Sequence, residues 1–118
     1  MTNRPYALRA VPGFYSNEPG IQLAAQTSHT ASDEDLQFFQ QLGIEWIMLG
    51  VNDPELHSAE HYKQFVTRFV EYGMQIYRIA NHSVHNVPEI TLNLPGRDEK
   101  IEEFIQFIRN LGEAGIRY

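Results

Sequence analysis

The chain has 118 residues, 42% of them hydrophobic, and no cysteine. That is enough for one small domain with a core, and it excludes disulfide frameworks, thiolate metal sites and cysteine nucleophiles. Fifteen acidic residues against nine basic ones leave a formal charge of −6, and there is no basic run, so no nucleic-acid partner is expected. The N-terminus lacks the apolar core of a signal peptide and no apolar run reaches bilayer length, so the expectation is a soluble cytoplasmic protein with no membrane partner.

Residues 1–20 carry Pro5, Pro12, Pro19, Gly13 and Gly20 without a clean period and read as an irregular leader. Ile21–Gln26 reads as a first strand, followed by a polar turn that holds His29. Ser32 has the character of an N-cap, with Asp35 three residues on and Asp33 and Glu34 in the first turn, where negative charge suits the helix dipole. Leu36, Phe39 and Leu42 lie at helical spacing before Gly43, and the run Ile44–Val51 is apolar at nearly every position, as in a strand buried on both faces. After the turn at Asn52-Asp53-Pro54, Tyr62, Phe65, Val66, Phe69 and Val70 form one helical stripe from about Ser58 to Gly73. Met74–Ala80 is the third strand. A last helix opens at Arg97, carries Ile101, Phe104, Ile105, Ile108 and Leu111, and closes at Gly115, where Ile116 begins an expected fourth strand.

Leu42-Gly43-Ile44, Tyr72-Gly73-Met74 and Ala114-Gly115-Ile116 form a weak repeat of helix end, glycine and strand start. Strands alternating with helices predict an α/β fold of parallel βα repeats, about three units over residues 21–118. An eight-fold barrel needs roughly 250 residues. A chain that stops on entering a strand is therefore expected to be the N-terminal part of a barrel, an incomplete one.

The connection from Tyr77 to Asp98 is longer than most in α/β units and has too many apolar residues for a disordered tail. It reads as a binding loop. Arg78, Asn81, His82 and His85 stand at the strand end where parallel α/β proteins place their sites, and His29 stands at the same end after the first strand. Imidazole, amide and guanidinium groups all donate to hydroxyls or carboxylates. Val84 and Val87 are expected to hold the His85 segment against the body. Two histidines are too few for a metal site, and no catalytic residue is assigned. His57-Ser58-Ala59-Glu60-His61 is a literal inverted zinc-protease pattern, but a helix starting at Ser58 leaves His57 off the face of His61. Pro95-Gly96-Arg97-Asp98 reads as helix capping before it reads as an anion site. Glu89 is an acid/base candidate by type alone, and the sequon Asn81-His82-Ser83 has no functional reading without secretion.

Ser83-Val84-His85, then Ile101-Glu102-Glu103-Phe104 and Arg109-Asn110-Leu111-Gly112-Glu113-Ala114-Gly115-Ile116-Arg117, resemble the mannonate dehydratases, and Gln41-Leu42-Gly43-Ile44 resembles that family's early helix-to-strand junction. The resemblance implies a xylose isomerase-like TIM barrel and a metal-dependent lyase converting D-mannonate to 2-dehydro-3-deoxy-D-gluconate and water. It implies a divalent ion, manganese or iron(II), whose ligands lie outside this chain, and a small sugar acid as partner, with a homo-oligomer possible. The ion would polarise the substrate's oxygens and acidify the proton beside the carboxylate. His85 and His82 would then line the sugar-acid pocket. A sugar isomerase or epimerase of the same barrel class, or a non-catalytic α/β binding module, are the alternatives.

Overall fold

The computed structural model describes residues 21–117; the expected leader lies outside them. Three strands, β1 (Ala24–Ser28), β2 (Trp46–Gly50) and β3 (Gln75–Ala80), form one parallel sheet in the order β1-β2-β3. The helices are α1 (Asp33–Gln41), α2 (Ala59–Glu71), a single turn α3 (Pro88–Thr91) and α4 (Arg97–Glu113), with 3-10 turns at Pro54–Leu56 and His82–Val84. The α/β class and the parallel βα repeats are as expected.

Local chemistry accounts for the helix starts. Ser32 Oγ accepts from the Asp35 amide at 3.2 Å while Asp35 Oδ2 accepts from the Ser32 amide at 3.1 Å, a reciprocal capping box. Ser58 caps α2 through the His61 amide.

The helix ends repeat one device. Gly43, Gly73 and Gly115 have φ of 73°, 76° and 78°. After each, the next amide reaches back to the helix: Ile44 to Phe39 at 3.1 Å, Met74 to Phe69 at 3.0 Å, Ile116 to Leu111 at 2.9 Å. Each glycine amide bonds the carbonyl three residues earlier, Gln40, Val70 or Gly112. These are three Schellman motifs, each with an apolar pair across it.

The core lies on one side of the sheet. Ile47, Leu49, Val51, Ile76 and Ile79 meet Leu36, Tyr62, Phe69, Leu111 and Ile116 there. The other side of β2 presents Trp46, Met48 and Gly50, so the sheet has a helix-covered face and a second face with a different composition.

Two boundaries differ from the sequence reading. β1 begins and ends later than Ile21–Gln26, because pairing of Ala24 with Trp46 through Ser28 with Gly50 sets its register; Ile21 is fully exposed. Ile116 and Arg117 are not in a strand, although Ile116 is buried.

Phe69 is 1% exposed and its carbonyl closes the α2 turn. Phe69→Ala is expected to cost about 3–5 kcal/mol in denaturant unfolding. A Cβ at Gly73 would meet nothing within 4 Å, so Gly73→Ala should cost about 1–2 kcal/mol from backbone conformation alone, and Gly73→Asn less.

Candidate functional site

Parallel register brings the strand ends into line. Ser28, Gly50 and Ala80 are abreast, the His29 amide donates to the Gly50 carbonyl at 3.1 Å, and the Val51 amide to the Ala80 carbonyl at 3.4 Å. His29, Val51 and Asn81 therefore share one edge, with the backbones of His29 and Asn81 about two strand spacings, roughly 10 Å, apart. This is the carboxyl edge at which open α/β sheets bind ligands.

Arg78 reaches the second face through an irregularity. Strict alternation from buried Ile76 would turn Arg78 toward the helices. The register instead shifts, pairing Ile76 with Ile47 but Arg78 with Met48 and Ile79 with Leu49. Tyr77 is the extra residue, and its ring meets Trp46 edge-on at 6.5 Å. Bulges of this kind re-aim side chains near functional sites. Arg78 is consequently exposed, in one row with Gln26 and Met48, and it has no ionic partner among the described residues. The row above, Ser28, Gly50 and Ala80, has small side chains only.

The other expected site residues take different positions. Half-buried His29 lies on the helix side, its ring 5.6 Å from that of Phe65 and Nδ1 3.4 Å from the Gly50 carbonyl. Asn81 Oδ1 accepts from the Ser83 amide at 3.0 Å and the Ser83 hydroxyl at 2.6 Å, so its carbonyl end caps the next turn. His82 and His85 are exposed on that turn, and the His85 amide closes it on the His82 carbonyl at 3.4 Å. Val84 and Val87 are half-buried, and the turn packs against α4. Thus His29 and Asn81 share an edge and Arg78 lies three residues down β3 from Asn81, while His82 and His85 project from the following loop.

The inverted zinc-protease pattern does not assemble. His57 precedes the Ser58 cap, and His61 Nδ1 lies 2.7 Å from Ser58 Oγ. Arg97 is taken up by Asp98 and by Asn93 Oδ1 at 2.7 Å, so the start of α4 is closed on itself. An apolar groove of about 290 Å³, lined by Val66, Val70, Met74, Ile76, Ala114 and Ile116, lies at the opposite, amino-terminal end of β3.

Sequence reasoning missed Arg68, which organises the loop after β1. Its guanidinium donates to the Ala31 carbonyl at 2.7 Å, to the His29 carbonyl at 3.5 Å and to Asp33 Oδ1 at 2.9 Å. The guanidinium, with Tyr72 second, holds the Asp33 carboxyl below the usual carboxylate range. No local motif links positions 37 residues apart; only the βα topology brings α2 over this loop. Arg68→Ala should favour local opening of residues 29–33 by about 1–2 kcal/mol, read as faster amide exchange at Ala31.

No helix among the described residues is long and apolar enough to cross a membrane. Compared with known proteins, the chain matches no family model and no solved structure.

Proposed function

We propose that these βα units belong to a xylose isomerase-like barrel and form part of the sugar-acid pocket of a metal-dependent lyase of mannonate dehydratase type, which removes water from D-mannonate. One observation carries the reading. The bulge at Tyr77 sets Arg78 on the face opposite the helices, near the strand ends and without a carboxylate partner among the described residues.

A guanidinium so placed matches a carboxylate through two parallel N–H donors. Gln26, two strands away in the same row, offers an amide that both donates to and accepts from hydroxyls. The small residues Ser28, Gly50 and Ala80 leave room for a ligand entering over the strand ends. In a closed barrel this face is the interior and these ends form the mouth. His82 and His85, on the loop that follows, supply further donors for sugar hydroxyls. The divalent ion such a lyase uses finds no ligand set here: no three of His, Asp or Glu come together among the described residues. The role of these residues is to bind and orient the acid.

Calorimetric titration with D-mannonate tests the reading, with D-mannitol as the sugar lacking a carboxylate. Arg78→Gln should weaken D-mannonate binding about tenfold or more, the scale of a lost charge-assisted hydrogen bond, and leave D-mannitol unaffected. Equal binding of both sugars, or no effect of Arg78→Gln, sinks the proposal. Formation of the 2-keto product with manganese present separates lyase action from binding alone.

A further inference from the structure

One side chain outside the expected site ties the loop after β2 to two helices. His57 Nε2 lies 3.0 Å from the Val51 carbonyl oxygen and Nδ1 lies 2.5 Å from Tyr62 Oη. A carbonyl only accepts, so the proton of the neutral ring is on Nε2. The lone pair on Nδ1 then accepts from the Tyr62 hydroxyl. Tyr62 is 0% exposed, and His57 is its hydroxyl's only hydrogen-bond partner among the described residues. From α4, Phe107 meets the imidazole edge-on at 6.0 Å and Asn110 Nδ2 donates to the His57 carbonyl at 3.2 Å. The end of β2, α2 and α4 thus meet at one residue.

A proton on Nδ1 reverses the bond to Tyr62. The imidazolium must donate to Oη, and the hydroxyl hydrogen is left without an acceptor in a buried site, beside a partly buried charge. Burial works against the cation first, and His29 at the end of β1 adds to it. Asp53 in the β2–α2 loop and the Val51 carbonyl favour the cation. Tyr62 is the titratable group α2 presents, and the α4 contacts, Phe107 and Asn110, carry no charge. The balance holds His57 below its ordinary value of 6.5.

We propose that His57 is a pH-operated latch: proton uptake at Nδ1 frees the segment Val51–Ser58 from α2 and α4 and opens the carboxyl edge of the sheet between His29 and Asn81. The latch goes beyond the sugar-acid reading and does not depend on it. The closed form binds the proton less readily than the open one. The latch is therefore fully closed above the ordinary histidine value and weakens as the pH falls below it.

Side-chain nitrogen NMR on the intact chain, from about pH 8 to about pH 5, tests this directly. The expected result is the Nε2–H tautomer at high pH and a His57 midpoint below 6.5. Amide exchange of residues 51–58, divided by the intrinsic rate, should rise by up to about tenfold per pH unit through the transition while α1 is unchanged. His57→Gln keeps a donor and an acceptor but takes up no proton, and should abolish the rise. The Nδ1–H tautomer, a midpoint at or above 6.5, pH-independent exchange in the wild type, or the same rise in His57→Gln overturns the proposal. If His57→Gln does not fold, the wild-type titration and exchange decide the matter alone.

Discussion

Three left-handed glycines determine where every strand after the first can begin. An L-residue with a side chain resists φ near +75°, and glycine does not. Gly43 and Gly73 therefore end α1 and α2 at the point where the chain must turn back to the sheet, and Gly115 ends α4 in the same way. The amide after each glycine is bonded back to an apolar helical residue, Phe39, Phe69 or Leu111. Two of these, Phe69 and Leu111, are buried in the core. Chain reversal and core packing are thus coupled in each repeat. The same turn launches β2 and β3, yet Trp46 lies three residues after Gly43 while its partner Gln75 lies two after Gly73; the extra residue in β3 restores the offset, so that Gly50 and Ala80, each seven residues after its glycine, end abreast.

That repeat was legible in the sequence because its parts are local: a glycine, an apolar residue after it, a helical stripe before it. Ser32 with Asp35, and Ser58 ahead of α2, were legible for the same reason, since a cap acts within one helical turn. The start of β1 was not. Ile21 and Leu23 are the more apolar residues, yet the strand is Ala24–Ser28, since its limits come from the hydrogen bonds β2 offers rather than from its own side chains. The 3-10 turn His82–Val84 and the helical turn Pro88–Thr91 inside the long connection also depend on Asn81 capping and on a proline at the first helical position, signals too short to separate from an ordinary loop.

At the candidate site, a reading by residue type assigns the side chains too uniform a role. Arg78, Asn81, His82, His85 and His29 share a neighbourhood, but Asn81 Oδ1 serves the backbone and His29 leans on Phe65. Arg78 stands out for a reason absent from any pairwise pattern. Ile76 and Ile79 are both buried, three residues apart in a strand, and a strand of period two cannot bury both without an extra residue between them. The apolar spacing of β3 therefore contains the bulge, and the bulge contains the direction of Arg78. Core packing on one face fixes the polar group on the other.

His57 extends the same logic to the loops. A histidine in a turn, read alone, belongs to water. Here the turn Pro54–Leu56 delivers it onto the Val51 carbonyl, and the stripe of α2 places Tyr62 against its other nitrogen. The two ring nitrogens then have unequal duties, one donating and one accepting, that only the neutral ring can meet. Arg68 clasps the loop after β1 through two carbonyls and Asp33. Of the two loops flanking the centre of the sheet edge, one is therefore held by a guanidinium and the other by a ring that must remain uncharged. Proton uptake at His57 acts on the second loop, so the edge opens from the β2 side.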